Sequence, residues 1–271
     1  MSEIKNKSND HIIRSWDELC EEVYTDSWKP GMGRYRSDYA FRGLSDANYE
    51  LKNSFLRNCG PRPELEYHLL RNFRKYSTTK EAQLGGSFWR SLILAQHHGL
   101  PTRLLDWTYS PFIAMHFATS NTEQYDKDGV IWMIDFVKAN RLVCEPLHRQ
   151  LLEEKCNAFT VEMLEEHIRS LSDFDQHFGK NQVVFFEPPS LDDRIVNQFA
   201  FFSVMTDPTL ILDQWLDRHP DLYRRIIIPR KLKWEVRDKL DQSNITERVL
   251  FPGVDGLASW LKRHYKPVSG V

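Results

Sequence analysis

The chain has 271 residues, 41% hydrophobic and 27% charged, a balance that fits a globular protein with a buried core and excludes a disordered or fibrous one. Its 36 Lys and Arg against 38 Asp and Glu leave a net charge of −2, so no global field draws it to nucleic acid or anionic membrane. No apolar run approaches the roughly 20 residues of a membrane helix, and four cysteines without a CxxC pair exclude a zinc cluster or disulfide framework.

The first ten residues, MSEIKNKSND, are polar and hold no apolar stretch of the signal-peptide kind, so residues 1–14 read as a mobile start to a cytoplasmic chain. Ser15-Trp16-Asp17-Glu18 reads as a capping box opening a helix. Pro30, Gly31 and Gly33 break it, and residues 39–43, Tyr-Ala-Phe-Arg-Gly, predict a strand. Pro63 starts a second helix with Leu65, Leu69, Phe73 and Tyr76 on one face; residues 87–96 predict a third, apolar all round and therefore buried. Gly99 and Pro101 stop that helix, residues 103–107 read as a short strand, and Ser110-Pro111 caps the next helix, with Phe112, Ile113 and Phe117 inward. Strands follow at 129–136, 183–187, 199–205 and 222–228. Between them residues 138–181 read as a helical insertion, with Val161, Leu164, Ile168 and Leu171 on one face. Asp207-Pro208 is expected to cap a helix, and Val254, Leu257, Ala258 and Leu261 to face inward from a closing amphipathic one.

Arg42 sits within an apolar, aromatic strand, where a guanidinium needs a carboxylate or an external anion. One reading pairs it with Asp106 in the core. The other makes it a phosphate or ribose ligand, with Gly43 letting the backbone approach closely. His97 and His98 adjoin at a helix end, about 100° apart, and cannot easily share one metal; one can cap the helix while the other reaches a ligand. With no HExxH and no third ligand, no metal is expected. At a period of two, Arg103 and Asp106 fall on opposite faces, while Thr102, Thr108 and Ser110 bring hydroxyls to the strand ends, so this polar cluster reads as a binding segment. Arg194 and Gln198 share one helical face before an aromatic strand, either as a capped surface turn or as part of the site.

Phe41-Arg42-Gly43, with Gln96-His97-His98-Gly99-Leu100-Pro101-Thr102-Arg103-Leu104-Leu105-Asp106-Trp107-Thr108, resembles the FRG domain, a family named for that tripeptide. Ser110-Pro111, Arg194…Gln198 and residues 250–258 fit the same pattern, so the resemblance spans roughly residues 38–262; Phe199-Ala200-Phe201 departs from it where a glycine is commoner. It implies a bacterial or phage-associated protein of defence or toxin type. A second resemblance, at motif level, is to ADP-ribosyltransferases, and it implies NAD as cofactor. In that likeness Arg42 holds an NAD phosphate or ribose, and Thr108 or Ser110 shapes the nicotinamide pocket. Gln198 stands where a glutamate contacts the ribose; a glutamine hydrogen-bonds but carries no charge for an oxocarbenium-like transition state, leaving Glu187 to supply the carboxylate.

These readings combine into one α+β domain. A mixed or antiparallel sheet forms its core (38–137 and 182–264), with helices around it and the insertion at 138–181. Arg42, His97 or His98, Arg103, Asp106 and Gln198 should converge on one cleft, with Gly43, Ser110 and Arg194 beside it. The expected function is an NAD-using ADP-ribosyltransferase or NAD glycohydrolase with a protein or nucleic-acid acceptor and no membrane association. The alternative is a nucleotide-sensing module without catalysis.

Overall fold

Ser15 accepts a hydrogen bond from the Glu18 amide, so the first capping signal works locally as expected, although Glu18 reaches back to the Arg14 amide rather than to Ser15. The computed structural model describes residues 9–77, 85–179 and 181–267. In chain order these form β1 (Asp10–Ile12), α1 (Trp16–Glu22), β2 (Trp28–Lys29), β3 (Arg34–Tyr35), β4 (Tyr39–Leu44), α2 (Ser54–Cys59), α3 (Glu64–Tyr76) and α4 (Phe88–His97). Next come β5 (Leu105–Thr108), α5 (Pro111–Thr119), β6 (Gly129–Asp135), α6 (Phe136–Asn140), α7 (Glu145–Glu154), β7 (Phe159–Thr160), α8 (Val161–His167), α9 (Leu171–His177) and β8 (Val183–Glu187). The chain continues with α10 (Asp193–Asn197), β9 (Ala200–Met205), α11 (Leu212–Leu216), β10 (Tyr223–Ile228), α12 (Lys233–Gln242), α13 (Glu247–Leu250) and α14 (Val254–His264).

Eight strands make one mixed sheet in the order β1-β10-β6-β4-β5-β9-β8-β7, and β2 and β3 form a separate hairpin. The outermost pairs, β1 with β10 and β7 with β8, are parallel; the inner ones are antiparallel. The fold is thus the expected single α+β domain. Residues 10–12, read as part of a mobile start, instead pair with β10, and residues 1–8 lie outside the described residues.

Strand alternation decides where the core goes. Ala40, Trp132, Leu105, Trp107, Phe185 and Phe201 form one continuous layer beneath α6 and α11. The opposite face is covered by two separate layers. Phe41, Ile131, Met133 and Ile226 pack on α1, α5 and α12, whereas Phe186, Phe202 and Val204 pack on α4, α7, α8 and α9. A seam remains between them where β4 and β5 share a single register pair, Phe41 opposite Thr108. Residues 138–181 therefore do more than decorate the domain, since they cover one half of this face and add β7 to the sheet edge.

Several local expectations yield to long-range packing. On α3 the buried positions are Glu66 and Leu70, because Arg103 draws the carboxylate inward. Asp207 accepts from the Thr209 amide in a turn, and α11 starts without a side-chain cap. Val254, Leu257, Ala258 and Leu261 face outward; α14 is held by Gly256, where a Cβ would lie 1.9 Å from the Phe251 carbonyl oxygen, and by Arg263.

Arg263 donates to both carboxylate oxygens of Glu247 (2.7 and 2.8 Å) and to Asp241 (2.9 and 2.7 Å). Beside them Arg237 approaches His116 Nδ1 at 2.7 Å, and since a guanidinium only donates, the neutral ring carries its proton on Nε2. Burial, with Arg237 adding to it, pushes the His116 pKa from 6.5 down to about 3. Burial alone would raise Glu247, but the Arg263 hydrogen bonds bring it from 4.5 to about 2. In each case the unfolded chain takes up the proton first, so stability falls as pH drops, from 6.5 toward 3 through His116 and from 4.5 toward 2 through Glu247. We expect the urea midpoint to decline between about pH 7 and 5, before the carboxylates titrate, and to flatten there in His116→Gln. A parent midpoint already flat over that range would show that His116 is not held neutral.

Candidate functional site

The seam opens into a cavity of about 210 Å³ between α5 on one side and α4 and α10 on the other. Seven of the expected residues line it: Arg42, Gly43, His97, Asp106, Thr108, Arg194 and Gln198. Phe41, Gln96, Trp107, Phe117, Ile195, Ala200 and Phe202 complete the wall, and none of these seven was expected at the site.

The segment after α4 builds one side. Gly99, in the left-handed region at φ +82°, ends the helix and turns the chain back. Thr102 Oγ1 accepts from the Leu104 amide, which frees its proton for Gln96 Oε1 at 2.6 Å. That contact points the Gln96 amide nitrogen at Asp106, where it donates to both carboxylate oxygens at 3.2 and 3.0 Å. The Thr102–Gln96–Asp106 chain explains the spacing of the motif, because a helix end and a strand must meet across a tight turn.

Arg42 crosses from β4 to β5. Its Nη1 donates to the Asp106 main-chain oxygen, and it lies 3.8 Å from Oδ2 of the same residue. The Arg42 side chain is 16% exposed, whereas that of Asp106 is 58% exposed and largely hydrated. Arg42 Nε is buried with no hydrogen-bond partner. Burial accordingly pushes the guanidinium below its ordinary pKa, with Asp106 opposing the shift and Arg57 adding to it. A charge so weakly compensated favours an anion.

The far wall comes from α10. Asp192 caps that helix through the Ile195 amide and also meets His97 Nε2 at 2.7 Å. Arg194 donates to the His97 carbonyl oxygen (3.3 Å) and stacks on the Phe251 ring at 4.9 Å. Gln198 Nε2 donates to the Leu250 carbonyl oxygen (3.0 Å), and the Gln198 carbonyl accepts from Thr108 Oγ1 (2.8 Å). A shallower hollow of about 410 Å³ adjoins the cavity and shares His97 and Arg194 with it.

Four expected residues lie elsewhere. Arg103 precedes β5 rather than lying on it, since the strand runs from 105 to 108. It is buried against Glu66 (Nε to Oε2, 2.8 Å), Asp175 and the Thr206 carbonyl oxygen (3.2 Å). His98 is exposed, its ring edge-on to His97, and does not line the cavity. Ser110 caps α5 through the Ile113 amide and forms no part of the wall. Glu187 accepts from the Tyr109 hydroxyl at 2.8 Å. Strand alternation puts it on the Phe185 face, opposite to Phe186 and the seam. Gly43 lines the cavity, but its missing Cβ serves α5: a Cβ there would lie 1.8 Å from the Ala114 carbonyl oxygen. Among the described residues no group of three or more His, Cys, Asp and Glu side chains is placed to hold a metal ion, and no helix is long and apolar enough to cross a membrane.

Compared with known families, residues 37–127 match the FRG domain. That segment supplies Arg42, Gly43, Gln96, His97, Asp106 and Thr108; Arg194 and Gln198 lie beyond it. No curated protein and no solved structure matches the chain.

Proposed function

We propose, for this chain with its FRG domain over residues 37–127, that the cleft binds a phosphate group of a nucleotide-type ligand, NAD being the first candidate. The observation that carries this reading is Arg42, buried with an unpartnered Nε and opposed by a carboxylate that water already solvates. A cavity of about 210 Å³ is smaller than the roughly 300–1,000 Å³ of sites that enclose a whole small ligand. It takes one end of a dinucleotide, and the adjoining hollow past His97 and Arg194 leads the remainder outward.

Asp106 favours a second, catalytic reading. It is the one carboxylate among the described lining residues, and Gln96 fixes its orientation. In NAD cleavage the bond from ribose to nicotinamide breaks, nicotinamide leaves with the bonding electrons, and water or an acceptor hydroxyl captures the ribosyl cation. A carboxylate beside that cation stabilises it, a part that Gln198 has no charge to play. The defence or toxin role expected from the family rests on this activity.

Purified protein is expected to melt higher with NAD or ADP-ribose than alone. Absence of any shift with NAD, ADP-ribose, ATP or pyrophosphate would sink the phosphate-cleft reading. Under the catalytic reading the protein also releases nicotinamide, and Asp106→Asn slows that release about 100-fold or more while keeping the thermal shift. A shift without release leaves the sensing module.

A further inference from the structure

A second hollow, of about 660 Å³, lies between α3 and the start of α9 and shares no residue with the cleft. Four cations line it, Arg71, Arg74 and Lys75 from α3 and Arg169 from the turn before α9, and no carboxylate does so among the described residues. In a chain of net charge −2 with acidic and basic residues mixed throughout, this is a local excess. Arg74 has a structural task, since its Nη2 donates to the Gly86 carbonyl oxygen at 3.2 Å. Arg71 and Arg169 do not share it. Both are exposed, both come from different elements, and neither forms an ion pair among the described residues. Like charges held in one hollow repel one another, and the potential they create draws an anion.

The floor narrows what that anion is. It consists of Leu70, Phe88 and Leu171, all part of the core beneath α4 and α8 and therefore fixed in place. Tyr67 stands at the side, 62% exposed, offering an aromatic face that no neighbour in the core covers. A phosphodiester backbone would meet the cations and leave this apolar surface unfilled. A peptide with carboxylates on either side of an apolar residue satisfies both parts, as charge-steered recognition with an apolar anchor requires.

We infer that the hollow between α3 and α9 is a docking site for an acidic segment of a partner protein, which sets one apolar side chain on the Leu70–Phe88–Leu171 floor between Arg71 and Arg169. The proposal does not depend on what the cleft binds.

A fluorescein-labelled peptide, Asp-Glu-Leu-Asp-Phe-Glu-Asp-Glu, titrated with the full chain in polarisation measurements, tests it. The parent chain is expected to bind, more weakly as salt rises. The double variant Arg71→Glu/Arg169→Glu should lose about tenfold or more in affinity. Both sites are exposed, so the melting temperature should stay unchanged; Arg71→Gln/Arg169→Gln gives the same comparison should the reversal disturb folding. A peptide with serine in place of Leu and Phe should bind several-fold more weakly. The inference is overturned by no binding, by binding indifferent to both double variants, by equal binding of the serine peptide, or by a single-stranded oligonucleotide that binds more tightly than the peptide.

Discussion

Arg42→Ala is expected to abolish the nucleotide-dependent thermal shift while the unliganded protein melts within a few degrees of the parent. The substitution removes a charge-assisted contact to the ligand worth about 1.5–3 kcal/mol, or about 10- to 150-fold in Kd. The fold survives because the groups left behind are cheap to leave. The Asp106 carboxylate is 58% exposed and keeps both Gln96 hydrogen bonds, and only its main-chain oxygen loses a donor. Arg42→Lys should not restore binding, since an ammonium cannot reproduce the planar fork. Calorimetry with NAD or ADP-ribose, paired with a melt, checks both halves. A collapsed melt that Asp106→Asn restores would make Arg42 a structural ion-pair partner and remove the basis of the cleft as an anion site.

Arg103→Ala should do the reverse, lowering stability by about 3–5 kcal/mol and the melting temperature by about 6–20 °C. Its guanidinium and the Glu66 carboxylate are 1% and 2% exposed, so the substitution leaves a buried carboxylate unpaired. Asp175, 36% exposed, is left with water and adds little. Replacing both partners, Arg103→Met with Glu66→Leu, should recover much of the loss, because two apolar side chains leave no stranded charge. Denaturant midpoints of the parent, the single variant and the double variant decide the matter. A single variant that melts normally but no longer binds nucleotide would return Arg103 to the ligand site.

What could be read in the sequence was what neighbours in sequence enforce. Ser15, Ser87, Ser110 and Asp192 cap helices through amides three residues on, and Gly99 ends α4 by its own backbone preference. Tyr and Phe in 39–43 and the apolar run 129–136 mark the central strands, because residue type alone signals a strand and needs no knowledge of its partner. The misreadings share a cause. The face of α3 turned because Glu66 serves Arg103, and α14 exposes its apolar stripe because Gly256 and Arg263, rather than Val254 and Leu257, meet α13. In both cases one long-range polar partner outweighed the local hydrophobic pattern.

Arg42 and Arg103 show where sequence stops and tertiary structure decides. Each is an arginine in an apolar run beside the same motif, and read along the chain both qualify equally as ligand groups. Arg103 is neutralised by Glu66, 37 residues away in one direction, and Asp175, 72 away in the other. Among the described residues Arg42 meets only Asp106, whose carboxylate stays in water. Sequence alone puts both guanidinium groups in apolar runs beside the motif, although only Arg42 lies on a strand. Which of the two keeps an unanswered charge was decided by packing alone, since a carboxylate compensates a buried cation only when the fold brings it close and takes it out of solvent.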